Sequence, residues 1–123
     1  MTSNLNFEKA FDSVCKHYGQ SKYQKTYPYL QIEDSVYCDT TSSFNLMGEY
    51  CNINNTLTVY WQNIDSTENL IKTLIHEYQH YLQSPSWMTR YYNMGYNYYN
   101  HPYEIAAYKE EENWKVLLNS IST

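Results

Sequence analysis

One apolar stripe constrains the fold of this 123-residue chain more than any other feature. Leu70, Ile71, Leu74, Ile75, Tyr78, Tyr81 and Leu82 recur at the spacing of one helical face. Asp65 can cap that helix, with Glu68 three residues on as a variant capping box, and Pro85 sets its end. A helix with such a face must bury it, so the rest of the chain has to supply the other side of a core. Aliphatic material for that is scarce: Leu, Ile, Val and Phe make 23 of 123 residues. So low a share, joined to a high net charge, would mark a disordered chain. Here the net charge is only −5, and aromatic residues make 18% of the chain, with 16 Tyr among them. A folded core that relies on tyrosine rings is therefore expected.

The flanking segments supply that core. Phe7, Ala10, Phe11, Val14 and Cys15 predict a first helix over about residues 4–18, ended near Gly19. Residues 20–28, polar and closed by Pro28, read as a loop. Residues 29–38 read as one or two extended pieces. Two further apolar runs, 46–51 and 56–61, flank Asn52-Ile53-Asn54-Asn55, which is a hairpin signal because Asn tolerates the left-handed turn conformation. Residues 85–101 read as irregular, with one short helix near 87–93. Pro102 suits the first turn of a last helix, whose buried face is Ala107, Trp114, Leu117, Leu118 and Ile121. The expectation is one α+β domain over residues 1–123. It has an N-terminal helix, a small three- to four-stranded sheet, the central helix and a C-terminal helix.

Charge and cysteine usage narrow the partners. A groove for phosphates needs clustered Lys and Arg, whereas this chain has 13 acids against 8 bases and a single Arg, Arg90. No nucleic-acid partner is expected. No membrane span is expected either, since no apolar run approaches ~18 residues. Cys15, Cys38 and Cys51 are odd in number and lack CxxC spacing, so reduced thiols are expected, with a Cys38–Cys51 bridge as the alternative. The first residues lack a basic stretch followed by an apolar one, so a soluble chain, cytoplasmic or leaderless, is expected.

The central helix also carries chemistry, in the run His76-Glu77-Tyr78-Gln79-His80, an HExxH. Residues four apart on a helix lie about 40° apart around its axis, so both imidazoles project from one face a turn apart. That separation lets two nitrogens bind one Zn²⁺ at about 2.0–2.1 Å. Glu77 sits about 100° round. It is poorly placed as a ligand and well placed to take a proton from a water that the metal activates. The apolar stripe beside the His face is expected to put the site at a buried edge. A third ligand is offered by Glu104, just inside the last helix in Asn100-His101-Pro102-Tyr103-Glu104-Ile105-Ala106-Ala107-Tyr108. It borders that helix's apolar face, and the two alanines let helices approach closely. His101 competes with it, but a ligand on a loop is held less rigidly than one on a helix. Glu110, Glu111 and Glu112 read as a solvated charge run. Two His and one carboxylate leave a fourth position for water, the catalytic arrangement of a zinc site with one ion per chain.

These residues resemble the gluzincin zinc metallopeptidases. The shortness is similar to their minimal members, the minigluzincins, and to the metallopeptidase domain of the ImmA/IrrE family. The resemblance covers about residues 46–118: Gly48-Glu49-Tyr50, the 56–61 strand, the HExxH helix and the Glu104 helix stand in the family's order. It implies a zincin-like α+β core in which the strand before the HExxH helix forms the lip of a cleft and pairs antiparallel with a substrate peptide. It also implies a zinc endopeptidase acting on peptides or proteins, with His76, His80 and Glu104 as ligands and Glu77 as general base. The chain departs from the thermolysin-like pattern, which places an Asp four residues after the ligand Glu to orient the first His. Here that position is Tyr108, whose phenol could accept an imidazole N–H, stabilise an oxyanion, or simply pack. A lower helical subdomain has no room, so Tyr91, Tyr92, Tyr96, Tyr98, Tyr99 and Tyr103 are further candidate donors. Two other functions fit the same residues: a zinc-holding interaction module without catalysis, and a peptidase kept latent by its tail, residues 117–123.

Overall fold

The computed structural model describes residues 6–33, 47–83 and 102–122, and their arrangement is α+β. Helix α1 (Phe7–Tyr18) leads into strands β1 (Tyr29–Glu33), β2 (Gly48–Cys51) and β3 (Thr56–Tyr60). Helix α2 (Thr67–Leu82) follows, and then α3 (Pro102–Glu110), which passes through a 3-10 turn (Glu111–Asn113) into α4 (Trp114–Ser122). The sheet order is β1-β3-β2, with β1 parallel and β2 antiparallel to β3. Among the described residues no helix is long and apolar enough to cross a membrane.

Local chemistry sets the helix ends. Asn6 caps α1, accepting a hydrogen bond from the Lys9 N–H at 2.9 Å, so the helix starts at Phe7. Gly19 ends it with φ 82°, a conformation that suits glycine, and donates its N–H to the Cys15 carbonyl at 2.8 Å. The expected Asp65–Glu68 capping box does not form. Ser66 stands directly before Thr67 in extended conformation, and its Oγ accepts from the Asn69 N–H at 3.1 Å. Asp65 accepts from the Asn69 side-chain amide instead, and Glu68 pairs with Lys72 at 2.7 Å. The expected single last helix is interrupted by the 3-10 turn. Of its expected face, Ala107 and Leu117 are buried and Trp114 and Leu118 pack against the core, while the side chain of Ile121 lies outside those described.

The hairpin also forms, and its alternation places the core. Leu30, Leu57 and Tyr50 lie in one row across the sheet and pack inward, while Gln31, Thr58 and Glu49 lie in the next row on the outer face. Phe7, Phe11 and Val14 of α1, Leu57 and Val59 of β3, Leu70, Ile71, Leu74 and Ile75 of α2, and Leu117 of α4 form one core. Tyr78 and Tyr81 complete it. The Tyr78 hydroxyl donates to the Gly19 carbonyl at 2.5 Å. The Tyr81 hydroxyl donates to the Thr26 carbonyl at 2.7 Å and accepts from the Ser21 N–H at 3.0 Å. These rings fill the core while their hydroxyls satisfy loop backbone, which leucine could not do. Asn55, at φ 52°, closes the hairpin in the left-handed conformation. It accepts from the Tyr50 hydroxyl at 2.7 Å, and its amide donates to the Tyr27 carbonyl at 3.2 Å.

Cys15 and Cys51 carry free thiols. Cys38 and its alternative bridge, the second extended piece, the short helix near 87–93 and the tyrosines from 91 to 99 lie outside the described residues.

Two predictions follow from this packing. A Cβ on Gly48 would lie 2.8 Å from Thr73 Cγ2 and 3.0 Å from the Thr58 carbonyl, because β2 runs hard against α2. Gly48→Ala should cost about 1–3 kcal/mol of unfolding free energy. Thr73→Ser, which removes the methyl group, should restore part of that loss in urea denaturation. Burial pushes the Cys15 thiol up to about 11. Its alkylation by iodoacetamide at neutral pH should therefore be far slower than that of a free cysteine, with a rate that climbs towards a midpoint near that value.

Candidate metal centre

The His face of α2 lies roughly opposite the apolar stripe, not at its edge. It is buried because α3 lies across it, running antiparallel: Glu104 meets His76 and His80, and the later Tyr108 and Glu111 meet His76. Ala107, fully buried, permits that approach. Glu104 stands in the first turn of α3, where the unpaired N–H groups of the helix favour a carboxylate. It is 3% exposed. Its Oε1 lies 2.9 Å from Nε2 of both imidazoles. The two rings are 4.9 Å apart and nearly perpendicular. One ligand atom from each of His76, His80 and Glu104 falls within 4.8 Å of the others. These three residues form a buried group that can hold a metal ion.

The electrostatics of the metal-free chain fit such an ion. Three carboxylates, Glu77, Glu104 and Glu111, surround two imidazoles. Burial works against the Glu104 charge, but hydrogen bonds from His76 and His80 outweigh it and hold the carboxyl down at about 2. Burial also works against a charged His76, yet its bonds to Glu104 and Glu111 raise it to about 10. Burial pushes the Glu77 carboxyl up to about 7, against the pull of both histidines. The cluster therefore draws positive charge to itself, and a cation at the three converging ligand atoms answers that demand. Beside it opens a groove of about 280 Å³. Met47 and Gly48 form one wall, Thr73, His76 and Glu77 the floor, and Tyr108 and Glu111 the other wall.

Glu111 does not belong to a solvated charge run. Its carboxylate lies 2.8 Å from His76 Nδ1. Glu110 also has a partner, accepting from the Tyr18 hydroxyl at 3.1 Å and from the Asn113 amide at 2.7 Å. Of the three acids only Glu112 is exposed. The signal for Glu111 was its spacing, seven residues after Glu104 and so on the same helical face two turns on. Tyr108 stands over His76 with its ring centre 4.5 Å away, edge to face, and is more than half exposed. The Nδ1 considered for its phenol is met by Glu111 instead. His101 lies outside the described residues, as does the side chain of Tyr103.

One expectation about the cleft needs correction. The strand before the HExxH helix, β3, is central in the sheet and paired on both sides, so it has no free edge for a peptide. The strand at the groove is β2, through Gly48. In the C-terminal segment Leu117 is buried in the core and Leu118 packs against it.

A divalent ion at about one hundred times its dissociation constant should stabilise the chain by about 2.7 kcal/mol in thermal unfolding. Glu104→Ala should abolish that increment. Lowering the pH should weaken binding, because protons compete with a cation for the ligand atoms.

The chain matches no protein-family model, no characterised protein and no solved structure. What the structure does show is the convergence of His76, His80 and Glu104, a group that could hold a metal ion.

Proposed function

We propose that the chain is a zinc-dependent peptidase, with Glu77 as general base. The observation that carries this reading is Glu77 on the floor of an open groove, one residue from the first of three buried, converging ligands. Two imidazole nitrogens and one carboxylate oxygen are a donor set suited to zinc, with a position left for water. Bound there, zinc would act as a Lewis acid, easing deprotonation of a water and polarising the carbonyl that the water attacks.

The chain's own residues do the rest. Glu77 takes the proton of the attacking water and returns it to the leaving amine. Tyr108, exposed on the groove wall beside His76, is placed to donate to the developing oxyanion. Met47 and Gly48 border the groove at the β2 side of the sheet, and an extended peptide laid there would pair with backbone while its scissile bond crosses Glu77. The close contact of Gly48 with Thr73 keeps β2 near the floor, which holds such a peptide within reach of the ligands.

Glu77→Gln keeps the shape of the side chain and removes its basicity. It should bind zinc at one ion per chain and cut a peptide library about 10²–10⁴-fold more slowly than the parent. Cleavage at the parental rate by a zinc-loaded variant would remove Glu77 from the mechanism. A parent chain that holds zinc and cuts nothing would leave a metal-holding module.

A further inference from the structure

We propose that Glu111 is the positioning residue of this centre, fixing a proton on His76 Nδ1 and so presenting the Nε2 lone pair to the ion. The inference rests on the metal reading above and assigns a role to a residue outside the ligand set.

The geometry is specific. His76 has Glu111 Oε2 at 2.8 Å from Nδ1 and Glu104 Oε1 at 2.9 Å from Nε2. A carboxylate only accepts, so both nitrogens of His76 carry a hydrogen here, and an ion that displaces the one on Nε2 leaves the one that Glu111 holds on Nδ1. A neutral imidazole has one N–H, and placing it on Nδ1 leaves Nε2 as the ligand atom. Without that partner the ring is free to carry its proton on Nε2, the atom that faces the ligand cluster. The negative charge behind Nδ1 also makes the ring a stronger donor to a cation. His80 is treated differently, with its Nδ1 lying 3.0 Å from the neutral amide oxygen of Gln83.

The turn that carries Glu111 is held in place from two sides. Glu110 accepts from the Tyr18 hydroxyl of α1, and Asn113 donates to both Glu110 and Tyr18, at 2.7 and 3.3 Å. Leu117, one turn further on, is buried in the core. Glu110 thus ties the 3-10 turn to α1 while Glu111 reaches α2. The break between α3 and α4 falls at the residue that contacts His76.

The test is zinc affinity, measured by competition with a chromophoric chelator at neutral pH, for the parent, Glu111→Leu, Glu111→Gln and the exposed neighbour Glu112→Gln. Glu111→Leu should bind about 10–100-fold more weakly. Glu111→Gln keeps an oxygen acceptor and should lose less than about tenfold. Glu112→Gln should match the parent. The His76 Nδ1–H proton should appear as a far-downfield resonance in the parent and in Glu111→Gln, and exchange away in Glu111→Leu. If Glu111→Leu does not fold, Glu111→Asp takes its place. It keeps the charge but withdraws the oxygen by one methylene, and should weaken binding more than Glu111→Gln does. Parental affinity in Glu111→Leu or Glu111→Asp would overturn the proposal, as would a Nδ1–H resonance that survives Glu111→Leu. Both readouts are independent of cleavage. A chain that shows them and cuts no peptide would overturn the peptidase reading alone.

Discussion

Helix α2 is buried along nearly its whole length, yet four of its ten buried residues, Thr73, His76, Gln79 and His80, are polar. A buried polar group costs free energy unless it finds a partner, and a buried imidazole pair costs more if it must also carry charge. That requirement explains why α3 lies where it does. It brings Glu104 between the two histidines and Glu111 behind the first, while Ala107 lets the backbones close up. The ligand cluster is thus part of how the helices pack, and not an addition to a finished core.

The opposite side of α2 meets a different shortage. With few aliphatics to bury, the chain uses Tyr78 and Tyr81 as core residues, at 0% and 1% exposure. Each carries a hydroxyl that would be costly to bury unpaired, and each finds the backbone of the loop between α1 and β1. Tyr50 and Asn55 extend the same scheme to the hairpin. A loop with little regular structure of its own is in this way tied to the core by side-chain hydroxyls. The core and the loop therefore depend on the same rings.

The groove is set by both sides of α2 together. Gly48 lets β2 approach the helix until a methyl group would not fit, and the 3-10 turn after α3 brings Glu111 to the other wall. Three carboxylates crowd two imidazoles: His76 is raised by its carboxylate partners and Glu77 by burial, while the histidines hold Glu104 down. Held this rigidly, the three ligand atoms stay converged and could hold a cation, whereas the same groups on a flexible loop would separate or take up water.

Much of this was legible in the residues. The 3.6-residue spacing gave α1 and α2, the alternation around four turn residues gave the β2–β3 hairpin, and HExxH put two imidazoles on one face, because helix and strand periodicity are local properties of the chain. Glu104 was legible as well, since it stands on the inner border of an apolar helical face. Other features needed the fold. That β3 lies in the middle of the sheet and β2 at the groove is a matter of which strands pair, and pairing is not encoded in the alternation of any one strand. Nor did the Glu110–Glu112 run reveal that one acid would meet Tyr18, the next His76, and the last remain exposed. In sequence only the spacing of seven residues from Glu104 set Glu111 apart from its neighbours. Only the antiparallel crossing of α2 and α3, and the turn that breaks the helix at Glu111, decide which carboxylate faces a buried imidazole.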